Sequence, residues 1–519
     1  MRLHVRSKCT AAKRFTALML VGWALAAALN AAVAPVEAHG GVSRGGVVQS
    51  IEAQVVQAES EKAQSRALGR SKTLQSQNGH GDTLKVAEAT VVDSVWSALP
   101  VGFSLLTYGN RQFVAYYDSK RRLTVASRTL GSKRWRRVRL GEKVPWDSHN
   151  YVTMAVDEKG HLHLSGNMHV DPLVYYRSQK PLDIGSLKRI DEMVGRNEEQ
   201  CTYPAFFKGP GGTLIFGYRD GQSGKGKRIY NAYNAEKEEW RRLLDTPLLD
   251  GTSQDMNAYP LGPKKGPDGQ FHLVWMWRNT PDAATNHHLS YTKSTDLRRW
   301  ETAGGEPVSL PVTPADTGVV VDPVGPREGL INMGFALGFD NQNRPVVSYH
   351  KYDENGNSQI YNARWEGDTW QIYKTSDWNV RWDFGGGGSI PSRVGAEAIR
   401  PVDKEALVEE AAGEETLAQS YWHWKKGEGT WLLNPETLRP VGQASLGAQR
   451  PARLGRVRST FPGMRVQWAS DAEKEGPKEA NVRYQLRWET LGPNRDQPRE
   501  GKVPSPSTLE VYKFVNPTD

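Results

Sequence analysis

The chain has 519 residues, a formal net charge of +9, 51 Gly, 30 Pro, 17 Trp, 19 Tyr and only 2 Cys. Turn-forming and aromatic residues abound and long helix-forming runs are missing, which excludes a helical bundle and favours many short strands joined by turns. The positive excess is mild and comes with no RNP motif, zinc finger or basic helix, so nucleic acid is not the expected partner, whereas another polyanion is compatible with it.

The N-terminus reads as an export signal. Basic residues end at Arg14, an apolar stretch runs over residues 17–34, and Val36-Glu37-Ala38 suits signal peptidase. Asn30 and the Ala-rich tail weaken the stretch as a membrane anchor, so cleavage is expected, with no stable membrane association afterwards. Residues 1–38 are thus expected to be the signal peptide and to carry about +4 of the charge, leaving about +5. The mature protein would be periplasmic or extracellular. Only Cys201 remains after cleavage, so no intramolecular disulfide can form. Its place just before a strand suggests a small buried residue rather than a nucleophile. Residues 39–90, rich in Gln, Ser, Gly, Lys and Glu, read as a flexible linker, and residues 91–519 as the catalytic domain.

From about Val95 a pattern recurs: a strand, an Asp/Gly or Asn turn, a second apolar strand, a third strand with Tyr and a fourth with Trp. The first copy covers 103–107, 112–117, 123–126 and Trp135. The second covers 151–156, 161–169 and 173–176. The third covers 203–207, 213–219, 229–233 and Trp240, and the fourth 257–261, 271–278, 289–291 and Trp300. The fifth covers 332–339, 345–351, 360–361 and Trp370, and weaker copies lie at 416–431 and 482–514. Four-stranded units of this period are propeller blades, because one such sheet cannot bury both faces alone and must stack on its neighbours. The expected fold is all-β, a seven-bladed β-propeller of four-stranded antiparallel blades, with six or eight as alternatives. A monomer is expected.

The repeat defines a face. Strands one and two of a blade are antiparallel, so the start of one lies beside the end of the other, and all these places share one rim. The starts carry Asp147-Ser148-His149-Asn150, Thr202-Tyr203, Asn257-Ala258-Tyr259 and Asn332. The ends carry Asn167-Met168-His169, Tyr218-Arg219-Asp220, Trp277-Arg278-Asn279 and His350-Lys351. His, Tyr, Arg and Lys thus gather round one mouth, while the other rim receives turn residues such as Asp157, Gly160, Asp268 and Gly269. His161 and His163 alternate on one strand as a metal pair could, but His272 repeats the His163 position, which favours a structural role. The glycine run 385–388 lacks the Lys and helix of a phosphate loop and reads as a mobile turn near the mouth.

Tyr, His and Arg together suit β-elimination on a uronic acid. Arg pairs with the carboxylate and stabilises charge as the C5 proton leaves, one of His or Tyr takes the proton, and the other protonates the leaving oxygen. Glycoside hydrolysis usually needs two carboxylates across the bond, and Asp147, Asp220 and Asp383 show no evident pairing.

The stretch from Asp147 to Ser178, with Asp-Ser-His-Asn-Tyr, Gly-Asn-Met-His and Leu-Val-Tyr-Tyr-Arg-Ser, resembles the BNR-repeat propeller polysaccharide lyases, particularly the ulvan lyases. So do Thr202-Tyr203-Pro204-Ala205-Phe206, Phe216-Gly217-Tyr218-Arg219-Asp220-Gly221, Asn257-Ala258-Tyr259 and the run from His272 to Arg278. The likeness covers about residues 95–390 and implies a seven-bladed propeller acting on an anionic polysaccharide. It implies that His149 and Tyr203 are the acid and base, that Arg219 neutralises the carboxylate, and that His169 and Tyr259 bind substrate. Asn150, Arg278 and Lys351, on the same rim, are expected to contact substrate as well. No cofactor is required for this chemistry. Some relatives hold a structural divalent cation, whose ligands are not assigned here. Two other readings are a sialidase-like glycoside hydrolase and a non-catalytic carbohydrate-binding propeller. The first would need three Arg round a carboxylate, a Tyr–Glu pair and intact Asp boxes, whereas 294–300 lacks the Gly and is one residue short. The second would need only an aromatic platform.

Overall fold

The computed structural model describes residues 83–332, 334–402, 416–443, 450–472 and 481–516. The expected signal peptide and most of the expected linker lie outside the described residues. No helix among the described residues is long and apolar enough to cross a membrane.

The fold is all-β, and the described strands form seven antiparallel sheets in chain order. The first holds Ser104–Tyr108, Arg111–Tyr117, Arg122–Thr129 and Arg136–Lys143. Its composition shows why it forms. Arg111–Tyr117 is buried along nearly its whole length, as an inner strand covered on both faces must be, while Arg136–Lys143 carries five charged residues and is largely exposed. Such a charged outer strand discourages pairing with another chain. The fourth sheet repeats the arrangement round Phe271–Arg278, every residue of which is buried.

The seventh sheet is built from both ends of the described chain. Lys85–Val95 pairs along its length with Ser507–Val515, which continues through Val482–Leu491 to Met464–Ser470. The first strand therefore begins at Lys85, ahead of the expected 90/91 boundary and inside the expected linker. This sheet is stitched to the first, because Thr107 N donates to Asp471 Oδ1 at 2.9 Å and Ala472 N to Leu105 O at 2.8 Å.

Apolar side chains fill the spaces between consecutive sheets. One cluster joins the seventh, first, second and third sheets, and others join the third to the fourth, fourth to fifth and fifth to sixth. Trp residues expected on outer strands are part of this packing, and the indole N–H groups of two of them bond across to the neighbouring sheet. Trp240 Nε1 donates to Tyr175 Oη of the sheet before it at 3.1 Å, and Trp135 Nε1 to Thr90 Oγ1 of the seventh sheet at 3.1 Å. The imperfect Asp box closes a turn: Asp296 Oδ1 accepts from the backbone of Arg298 and Arg299, and Leu297 takes φ +62°, which glycine would adopt at less cost.

His163 and His272 do the same structural job in successive units. His163 bonds Asp157 Oδ2 at 3.3 Å and Tyr175 Oη at 2.8 Å, and His272 bonds Asp268 Oδ1 at 3.0 Å and Tyr291 Oη at 2.5 Å. Cys201 is fully buried, and burial pushes its thiol well above the ordinary value.

Three other buried histidines make folding acid-sensitive. Burial lowers His287, His350 and His423 to about 4. His423 Nδ1 accepts backbone N–H groups from Lys425 and Lys426 at 3.0 Å each, which protonation there would forbid. Below the unfolded imidazole value of about 6.5 the unfolded chain binds protons that the folded chain refuses, so stability falls as pH drops from about 6.5 to 4. Each group contributes on the order of 3 kcal/mol across that window. Thermal melts are expected to show a falling melting temperature from pH 7 to 4.5. His350→Leu should flatten that slope, and an unchanged slope would remove His350 from the account.

Candidate active site

The mouth residues converge through local backbone irregularities. The second sheet's inner hairpin ends at Gly166, and the chain then breaks through Asn167 and Val170, both with positive φ. The expected single strand over 161–169 is therefore two: Leu162–Gly166, and His169–Asp171, which leaves its own sheet to pair with Cys201–Lys208 of the next. Left-handed backbone at these two residues turns His169 away from its own sheet.

Tyr203 has the same kind of placement. The register slips between Thr202 and Ala205, and Tyr203 takes φ +56° in that bulge. A tyrosine held there costs on the order of 1 kcal/mol or more, and bulges re-aim side chains beside functional sites.

His149, His169, Tyr203, Arg219, Tyr259 and Arg278 share the lining of one pocket of about 270 Å³, near the lower end of the ~300–1,000 Å³ usual for small-molecule sites. The imidazoles of His149 and His169 stack with centroids 4.1 Å apart. Both turn Nδ1 to a single carboxylate: His149 Nδ1 lies 2.7 Å from Asp147 Oδ1, and His169 Nδ1 bonds Asp147 Oδ2. Burial works against the charge on Asp147, but the hydrogen bonds from the two imidazoles prevail and hold its carboxyl well below the usual range. With Nδ1–H committed to Asp147, a neutral His149 keeps its lone pair on Nε2.

Two Arg–Tyr pairs occupy equivalent positions in the third and fourth sheets. The Arg219 guanidinium lies 5.0 Å from the Tyr203 ring centre, and that of Arg278 lies 5.1 Å from Tyr259. They differ in their free donors. Every guanidinium nitrogen of Arg278 is engaged, with Nε on Thr280 O at 3.0 Å, Nη1 on Asn332 Oδ1 at 3.4 Å and Nη2 on Pro281 O. Arg219 places Nε on Gly221 O and Nη2 on Thr202 Oγ1, each at 3.1 Å, and its buried Nη1 makes no hydrogen bond. Tyr203 meets the His149 ring edge-on at 5.7 Å and Tyr259 at 6.2 Å. Burial raises the Tyr203 phenol, the neighbouring Tyr259 adds to this, and Arg219 opposes it, leaving it well above the ordinary value. Tyr259 Oη lies 2.9 Å from Ser223 Oγ.

Two expected contact residues stand elsewhere. Asn150 is buried behind the mouth, with Nδ2 donating to Asp147 O at 3.3 Å, and Lys351 donates to Asp322 Oδ2 at 2.6 Å while lying over Tyr361. Asp147, Asp496 and Ser223 were not assigned site roles from sequence. Asp147 sits two residues before His149, the Asx-type spacing from which its Oδ1 accepts His149 N at 2.8 Å. Asp496 lies 3.4 Å from His149 Nδ1 through Oδ2, and its distance along the chain leaves no sequence signal. Among the described residues, Asp147, His149 and His169 form the cluster whose ligand atoms, all within 4.8 Å of one another, could hold a metal ion. Two imidazole nitrogens and a carboxylate suit a divalent transition metal in type, though the hydrogen bonds just described already employ these atoms.

An all-β succession of antiparallel sheets with a cationic, aromatic pocket at the ends of its inner strands is the class that fold and site define. The chain belongs to the BNR repeat-containing family, whose model matches residues 111–378, just over half of its length. No curated protein matches it significantly. Among solved structures it is similar to polysaccharide lyase Uly1, at 14% identity over 83% of this chain and 99% of that one, with a TM-score of 0.55. A PL25 ulvan lyase is 15% identical over 83% and 95% of the two chains, with a TM-score of 0.51. A PL25 ulvan lyase bound to -[GlcA(1-4)Rha3S]- is 14% identical over 83% and 96%, with a TM-score of 0.52. These likenesses establish a common fold.

Proposed function

We propose that this chain is an exported polysaccharide lyase, a seven-bladed propeller that cleaves a uronic-acid-containing, ulvan-like polysaccharide by β-elimination. The observation that carries the reading is the pairing of His149, fixed by Asp147 with Nε2 free, with the protonated Tyr203 and the unsatisfied Arg219 Nη1 in one pocket. The Arg219 guanidinium faces the uronate carboxylate and stabilises the charge that builds as C5 loses its proton. His149 Nε2 takes that proton. The C–H electrons form the C4=C5 double bond as the C4–O bond breaks, and Tyr203 gives its proton to the departing oxygen. His169 and Tyr259 border the same space and would position the sugar. The seven sheets, with the seventh completed by Lys85–Val95, support the blade count. The solved ulvan lyases of the same fold support the substrate class.

A sialidase-like hydrolase fits less well, because the pocket is lined by two Arg rather than three, and each nitrogen of one of them already makes a hydrogen bond. A purely binding propeller would have no use for a buried unsatisfied guanidinium beside a fixed imidazole. Incubation with a panel of uronate polysaccharides is expected to give products absorbing in the ultraviolet through the new C4=C5 bond. Saturated products, with water added across the bond, would overturn the lyase reading in favour of hydrolysis.

A further inference from the structure

Thr202 precedes Tyr203 in the strand Cys201–Lys208 and is fully buried. The strands on either side of it both carry site residues: Thr202 stands opposite His169 on one side and opposite Arg219 on the other. Its hydroxyl oxygen accepts from both neighbours. Val170 N, in the residue after His169, donates to Thr202 Oγ1 at 2.8 Å, and Arg219 Nη2 donates to it at 3.1 Å. A threonine oxygen has two lone pairs, and these two donors take them. Val170 holds φ +65°, costly for a β-branched residue, and its hydrogen bond to Thr202 helps offset that cost.

The fourth sheet shows that register alone does not make such a link. There Asn257 stands opposite Arg278 as Thr202 stands opposite Arg219. Arg278 nevertheless sends its nitrogens to Thr280 O, Asn332 Oδ1 and Pro281 O, and Asn257 Nδ2 is buried with no partner. The bond between Arg219 and Thr202 is thus particular to the third sheet, where Tyr203 also lies.

We propose that Thr202 is a positioning residue for carboxylate recognition. Its hydroxyl fixes the guanidinium plane of Arg219 and ties that plane to the segment carrying His169, so the two keep one spacing in the pocket they both line. This rests on the lyase reading and adds to it a residue that acts through Arg219 rather than on the substrate.

Thr202→Val keeps the branched shape and removes the acceptor. It is expected to lower kcat/KM on a uronate polysaccharide by about 10- to 30-fold, the scale of a hydrogen bond to a charged group. Thr202→Ser keeps the hydroxyl and should stay within about 3-fold of the wild-type rate. The decisive measurement is Thr202→Val in an Arg219→Lys background. An ammonium has no plane to hold, so the cost there should shrink to about 3-fold or less, the remainder reporting the His169 side. A general loosening of the fold would cost the same factor in both backgrounds, and that result would overturn the assignment while leaving the lyase reading intact. So would a Thr202→Ser protein as slow as Thr202→Val. Should Thr202→Val fail to fold, Thr202→Ala takes its place in both backgrounds. If the wild-type protein forms no unsaturated product from any uronate substrate, the lyase reading fails first and this inference falls with it.

Discussion

Arg219→Lys is expected to lower kcat/KM by about 10²-fold or more, the scale of losing a preorganised donor to a developing anion. The structure shows why the charge alone is not enough. Arg219 spends Nε on Gly221 O and Nη2 on Thr202 Oγ1, and these two bonds fix the plane of a guanidinium whose buried Nη1 has no partner. An ammonium has no plane: it can serve an anchor or the substrate, but it cannot hold a fork in register with a carboxylate. Losing one such anchor removes roughly 1 kcal/mol, a shift of about 2 °C in a protein this large, so the fall in turnover should far exceed the fall in melting temperature. Arg278→Lys is the internal comparison. It has the same relation to Tyr259 that Arg219 has to Tyr203, yet its guanidinium nitrogens are all engaged, and the expected loss is about 10-fold or less. Steady-state kinetics on both variants decide the matter. A larger loss at Arg278 would transfer carboxylate recognition to the fourth sheet.

Sequence periodicity was a good guide wherever strands are regular. Arg111–Tyr117 and Phe271–Arg278 read directly as buried inner strands, and Trp135 and Trp240 as the packing between sheets. Six of the eight expected site residues line one pocket, because antiparallel pairing sets strand starts beside strand ends whatever the side chains. Asn150 and Lys351 lie elsewhere because a strand end can face inward or outward. Asn150 turns back to Asp147 O, and Lys351 turns between sheets to Asp322. Asn167 and Tyr203 take positive φ without being glycine, so nothing in their residue types announces the break or the bulge. The glycine run 385–388 lies at the mouth as expected, but its anchors are not legible, because what it bonds to lies about a hundred residues away, in Asp282 and Arg495, as does Asp496, which holds the adjoining Ser389.

Tyr203→Phe should separate binding from chemistry. The ring keeps its contacts with His149, Tyr259 and Arg219, so KM should change little, while kcat falls by about 10³-fold through loss of a positioned acid. The direction of proton flow follows from the two environments. Burial, reinforced by Tyr259 and only partly opposed by Arg219, keeps the phenol protonated through the neutral range, so Tyr203 has a proton to give. Asp147 commits His149 Nδ1–H and leaves Nε2 to receive one. An acid is needed only when the departing oxygen is a poor leaving group. With a uronate carrying a nitrophenolate at C4, Tyr203→Phe is therefore expected to recover most of its rate, while His149→Ala, which lacks the base, stays inactive. If His149→Ala were the variant rescued, the roles would be exchanged, with a tyrosinate beside Arg219 abstracting the C5 proton and His149 donating to the leaving oxygen.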